Sequence, residues 1–117
     1  MPSFNIKPND RLKLRHMLDA ALEIQQYAGS STRDDLNQDR KLVHSFVRLL
    51  EIIGEAASQV SDELRANTPQ IPWPIIVGMR NRLVHAYFDI NLNIVWGTST
   101  EDIPPLIEKL QALLREN

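Results

Sequence analysis

Between Met79 and Asp89 the chain reads MRNRLVHAYFD, in which two arginines, an asparagine, a histidine and a tyrosine follow an apolar run. Imidazole titrates near neutral pH and can take or give a proton. A planar guanidinium can hold phosphate oxygens through paired hydrogen bonds. If the segment is a helix, each residue turns it by about 100°, so Ile75, Ile76, Met79, Leu83 and Ala86 share one apolar arc. Arg80, Asn81 and His85 then spread over an adjoining arc of about 140°. Asn81 and His85 stand one turn apart, close enough for the amide to orient the imidazole or a phosphate. One face packs, and the next presents groups that can move protons and bind an anion.

Each of these residues also has an ordinary structural role. His85 can be an interfacial or half-buried helix residue with a satisfied hydrogen bond, Arg80 a surface charge, and Tyr87 a packing residue with its hydroxyl at the surface. Arg82 reads as a solvated or interface charge. Glu51 and Glu55, one turn apart, read as a charged ridge beside an apolar stripe rather than as metal ligands. His16 and His44 lack a spacing that would build a metal site with His85. Trp73 and Trp96 read as core or interface anchors before they read as platforms for bases.

The elements that position the cluster have a helical period. Asn9 or Asp10 is placed to cap a first helix in which Leu14, Met17, Leu18, Ala21 and Ile24 recur at three- and four-residue steps, stopping near Gly29. After a polar connector to about Asp35, a long helix runs from Leu36 to Val60. One of its stripes is Val43, Phe46, Val47, Leu50, Ile53, Gly54, Ala57 and Val60; a second is Leu42, Leu49, Ile52 and Ala56. Two apolar sides call for two partners, and the second stripe predicts a homodimer. Gly54 inside this helix predicts another backbone passing close. Pro69, Pro72 and Pro74 punctuate NTPQIPWP and start the helix carrying the cluster, which is expected to end near Tyr87 to Asp89. A short helical piece over Asn91 to Trp96 follows. A last helix is capped by Asp102, with Pro104 and Pro105 in its first turn and Leu106, Ile107, Leu110, Leu113 and Leu114 as its buried stripe. No segment alternates convincingly as a strand. The expected fold is all-α, a four- to five-helix up-and-down bundle over residues 1–117 as a single domain.

Composition narrows the function. The 117 residues suffice for a single hydrophobic core. With 13 Lys+Arg against 15 Asp+Glu the formal charge is −2, so no basic field exists of the kind that dominates sequence-independent nucleic-acid affinity, and any such contact must be local. There are no cysteines, which removes disulfides and thiolate metal sites and fits a reducing compartment. The start, MPSFNIKPND, lacks a signal-peptide pattern, and no apolar run approaches the roughly 20 residues that span a bilayer. A soluble, cytoplasmic protein is expected.

Arg80-Asn81-Arg82-Leu83-Val84-His85-Ala86-Tyr87 reads R-N-x-x-x-H-x-Y and resembles the signature of HEPN-superfamily ribonucleases, in particular their HepT-like toxin branch. The context is similar too: Ile71-Pro72-Trp73 and Ile53-Gly54-Glu55-Ala56 precede the motif and Ile94-Val95-Trp96 follows it, so the resemblance runs from about Asp10 to Leu114. It implies a metal-independent endoribonuclease toxin, without a cofactor, working as a homodimer whose two motif helices line one cleft. Cutting RNA with its own 2′-hydroxyl needs a group to take that proton, one to protonate the leaving 5′-oxygen, and a cation on the developing phosphorane charge. His85 would serve the proton steps and Arg80 the phosphate, with Asn81 orienting and Tyr87 bordering the RNA path. One chain offers one such histidine; two chains sharing a cleft could divide the acid and base roles. The resemblance also implies a partner, a small nucleotidyltransferase-type antitoxin that silences the toxin by attaching AMP to the tyrosine of H-x-Y, here Tyr87. Two other classes stay open: a helical regulatory or nucleotide-binding module without catalysis, and a nucleic-acid-binding domain, which the net charge disfavours.

Overall fold

The elements in chain order are α1 (Pro8–Gly29), the single turn α2 (Asp35–Gln38), α3 (Arg40–Ser58), α4 (Asp62–Asn67), α5 (Trp73–Val77), α6 (Met79–Leu83), strands β1 (Val84–Ala86) and β2 (Asp89–Ile90), α7 (Leu92–Gly97) and α8 (Ile103–Glu116), with a π-helical turn at Thr98–Asp102 between the last two. The structure, a computed structural model, describes residues 5–86 and 89–116, except for the side chains of residues 84–86 and 116. The chain is mostly helical, and its three long helices follow the apolar period read from the sequence. α1 buries Leu14, Met17, Leu18, Ala21 and Ile24; α3 buries Val43, Phe46, Leu50, Ile53, Gly54 and Ala57; α8 buries Leu106, Ile107, Leu110 and Leu113. α1 packs against both α3 and α8, and the buried apolar side chains form one contiguous core. At its centre Phe46 is met edge-on by Tyr27 and Trp96, with ring centroids 6.2 and 6.3 Å away, a geometry that adds to area burial.

Several boundaries differ from those the sequence predicts. α1 starts at Pro8 behind Lys7, which makes no side-chain cap. Asp10 instead reaches across the fold: buried, it accepts the Ser61 N–H at 2.9 Å and the Ser61 hydroxyl at 2.5 Å, while Ser61 caps α4 by accepting the Leu64 N–H. A tertiary partner outcompetes the local cap. The predicted helix from Leu36 to Val60 is divided at Asp39, whose extended backbone and side chain, accepting from the Leu42 N–H at 3.1 Å, start α3 afresh. The second stripe of α3 is largely covered within one chain. Leu49 and Ala56 are buried, Ala56 beside Lys13 and His16 and Leu49 beside Glu23 and Tyr27 of α1; Leu42 and Ile52 are half-buried. That stripe alone therefore does not require a second copy.

Asp102 is not a cap. α7, the π-helical turn and α8 follow one another directly, and the Ile103 N–H donates to the Thr98 carbonyl five residues back. The two prolines explain the wide turn. Pro104 and Pro105 have no N–H, and in a regular α-helix their rings would collide with the carbonyls of Thr100 and Glu101; both of those residues lie in the π-helical turn.

The expected long motif helix is also broken. α5 ends at Gly78, α6 ends at Leu83, and Val84–Ala86 pairs antiparallel with Asp89–Ile90. β-branched and aromatic residues weaken helices and favour strands, and Val84, His85, Tyr87 and Phe88 crowd this stretch. The Asn91 N–H closes the hairpin on the Leu83 carbonyl at 2.9 Å, and the Asn91 side chain caps α7.

Gly54 meets the expectation made for it. A Cβ there would lie 3.1 Å from the Ile76 carbonyl oxygen and 3.7 Å from that of Val77, so α5 crosses α3 at the one position where its backbone can come this close. The IPW segment anchors α5 from below: Ile71 and Trp73 are buried, and the Trp73 indole N–H donates to Thr68 Oγ1 at 3.0 Å while that hydroxyl donates to the Leu64 carbonyl at 2.7 Å. Thr68→Val keeps the shape and orphans the indole N–H, so it is expected to destabilise the fold by about 1–3 kcal/mol, read as a lowered denaturant midpoint at unchanged slope. An unchanged midpoint would show that this buried pair contributes nothing.

Candidate functional site

The crossing of α5 and α6 over α3 builds an open cleft of about 350 Å³, lined by Arg48, Glu51, Gly54, Glu55 and Ser58 of α3 and by Val77, Arg80 and Asn81 from the motif side. Glu51, Glu55 and Ser58 follow at four- and three-residue steps, so they stand on one face of α3. Because Gly54 admits the backbone of α5, that face and the start of α6 come within side-chain reach of each other. Arg80 Nε donates to Glu51 Oε2 at 2.5 Å across the cleft. The arginine side chain is 55% exposed and the glutamate 27%, so the carboxylate lies deeper on the long helix and the guanidinium sits toward solvent.

Asn81 is exposed beside Arg80, and its backbone N–H donates to the Gly78 carbonyl at 3.1 Å. The structure thus brings together Arg80 and Asn81, two of the residues singled out by the motif. Arg82 faces elsewhere: it lines a separate groove of about 590 Å³ with Pro72, Ile75, Met79, Asp102 and Leu106. His16 and His44 line shallower depressions along α1 and α3.

His85 lies on β1, not one helical turn beyond Asn81. In the hairpin register Val84 faces Ile90 and Ala86 faces Asp89, which leaves His85 as the extra, bulged residue. Such bulges are common beside active sites. The His85 side chain and the whole of Tyr87 lie outside the described residues, so the roles expected of them rest on the sequence. Glu51, read from the sequence as part of a charged ridge, is the site residue that reading missed. Its one sequence signal is its place three residues before Gly54, on the turn that the neighbouring backbone crosses.

Among the described residues no group of three His, Asp or Glu side chains is placed to hold a metal ion, and no helix is long and apolar enough to cross a membrane. A cleft with an arginine, an amide and a hydroxyl at its walls can bind a phosphate oxygen; it takes a proton-transfer group alongside to do more.

Comparison with known proteins adds to this geometry. Residues 17–113 match the model of the family described as ribonuclease HepT-like. A protein of Caldanaerobacter subterraneus named as an RNase is 35% identical over 103 residues, which cover 88% of this chain and 92% of that protein. One of Thermococcus cleftensis named as ribonuclease HepT is 34% identical over 100 residues, covering 86% and 91%. A third, of Methanocaldococcus jannaschii, named as a gamma-glutamylcyclotransferase and RNase, is 32% identical over 106 residues, covering 91% of this chain and 48% of that longer protein. No solved structure matches the chain.

Proposed function

For a chain that belongs to the HepT-like ribonuclease family, we propose that it is a metal-independent endoribonuclease acting as the toxin of a toxin–antitoxin pair, with its cleft shared by two copies. The observation that carries the reading is the cleft itself, where Arg80 and Asn81 of the R-N-x-x-x-H motif stand open to solvent at the crossing of α3 and α6. The nucleophile is the substrate's own 2′-hydroxyl. Its oxygen attacks the adjacent phosphorus as its proton passes to one imidazole, and the bond to the 5′-oxygen breaks as a second imidazole supplies a proton there. Arg80 holds the non-bridging oxygens, whose charge grows as the phosphorane forms. Each chain has one motif histidine, so the two proton steps use His85 of both copies. The exposed apolar residues Ile75 and Val77 of α5, Val77 on the cleft wall itself, supply surface that a second copy would cover. An antitoxin of the nucleotidyltransferase type silences the protein through Tyr87.

The test is a labelled single-stranded RNA incubated with purified protein in excess chelator. Cleavage should persist, leaving a 2′,3′-cyclic phosphate or its hydrolysis product on one fragment and a 5′-hydroxyl on the other. Activity lost in chelator and restored by magnesium or manganese would refute the mechanism. RNA or nucleotide binding without any cleavage would favour a regulatory module instead.

A further inference from the structure

Resting on the reading of Arg80 as the phosphate-holding residue, the geometry points to Glu51 as its positioning residue: the carboxylate fixes the plane of the Arg80 guanidinium through Nε and leaves the outer edge of the fork for phosphate. An arginine on a five-residue helix with more than half its side chain in solvent has many rotamers, and ordering it at the moment of reaction is unfavourable. Glu51 removes that freedom beforehand. It sits on the 19-residue helix α3, less exposed than its partner, and α5, which leads into α6, packs so close to α3 that a Cβ at Gly54 would lie 3.1 Å from the Ile76 carbonyl oxygen.

The choice of atom matters. Glu51 takes the Nε–H, and among the described residues no other protein group bonds to the Arg80 fork. The two Nη groups form the edge that can face two phosphate oxygens at once. A carboxylate sitting across that edge would block phosphate; one at Nε leaves the edge open. The same carboxylate offsets part of the arginine's charge, so it works against ground-state affinity for RNA. Glu51 therefore contributes to kcat rather than to KM.

The experiment compares Glu51→Ala, Glu51→Gln and Glu51→Asp in RNA cleavage, with thermal unfolding as control. An ion pair this exposed adds little to stability, so all three should unfold close to the wild-type temperature. Glu51→Ala should lower kcat by about 10- to 100-fold with KM unchanged or lower, the range for loss of a group that orients another. Glu51→Gln keeps an acceptor oxygen at the same reach and should restore most of kcat; Glu51→Asp, one methylene shorter, should not. A second readout needs no activity: the Arg80 Nε–H resonance, identified by its absence in Arg80→Lys, should be protected from exchange in the wild type and Glu51→Gln and lost in Glu51→Ala. Wild-type kcat in Glu51→Ala, a rise in all three variants, or Gln no better than Ala would overturn the assignment while leaving the ribonuclease reading intact. A wild-type protein that cuts no RNA would instead overturn that reading, whatever the resonance does.

Discussion

Replacing His85 with alanine should slow RNA cleavage by at least about 10³- to 10⁴-fold, because a general acid or base step is worth about 10²–10⁴, the proposed shared cleft would lose both imidazoles, and groups that act as a unit are far from additive. Arg80→Ala should lose about 10²- to 10³-fold, the usual effect of deleting one group that stabilises developing oxyanion charge. The His85→Ala loss should fall almost entirely on kcat, whereas Arg80→Ala should also raise KM somewhat, since the guanidinium attracts RNA phosphate before reaction begins. A heterodimer with one wild-type chain and one His85→Ala chain, isolated through two different tags, tests the shared cleft. If both imidazoles act on one phosphate, the heterodimer should be almost as inactive as the doubly substituted protein. Half of wild-type activity would mean that each chain works alone and would end the composite-site proposal.

How much of this could be read from the chain depends on which forces are local. The three long helices were legible because their apolar residues repeat at the helical period over many turns, from Leu14 to Ile24, Val43 to Ala57 and Leu106 to Leu113, and tertiary packing reinforces that pattern. Gly54 was legible for another reason: a glycine in a helix interior is unfavourable by about 1 kcal/mol relative to alanine and calls for a compensating approach, which the α5 carbonyls supply. Breaks are harder. Asp10 and Asp102 both look like caps, yet Asp10 is drawn to Ser61, far along the chain, and Asp102 is carried into a π-helical turn that accommodates the two following prolines. The residue that draws Asp10 away is not visible in its neighbourhood, and the prolines beside Asp102 fit the first turn of a fresh helix as well as they fit a wide turn.

The motif itself shows the same division. Type and spacing single out Arg80 and Asn81, and both line the open cleft beside α3. The assumption that a single helix carries them together with His85 failed, since α6 ends at Leu83 and β1 follows. A spacing of R-x4-H fits a helical turn, but it also fits a helix that stops and a strand that bulges. β-branched Val84 favours the strand, and the Asn91 N–H closes on the Leu83 carbonyl. The pairing of Glu51 with Arg80 was out of reach, because 29 residues separate the partners and nothing in either segment names the other.

Co-expression with a neighbouring nucleotidyltransferase should silence the protein as completely as His85→Ala does, and the silenced form should be heavier by one or more AMP units. The chemistry is balanced within the pair: the Tyr87 phenolic oxygen attacks the α-phosphorus of a nucleoside triphosphate bound by the partner, pyrophosphate leaves, and the phenolic proton passes to solvent. Tyr87 is two residues beyond His85, so the attached group would carry a phosphodiester charge and a base into the space that must admit RNA phosphates. Occupancy and like-charge repulsion both oppose the substrate. The chain has two tyrosines, which makes the assignment simple to check by intact mass. Tyr87→Phe should abolish the added mass and restore cleavage in the presence of the partner. Tyr27→Phe, on α1 beside His44 and Leu49, should leave the modification in place. An unmodified mass together with full inhibition would point to a partner that only covers the cleft, and Tyr87 would then be a packing residue at its edge.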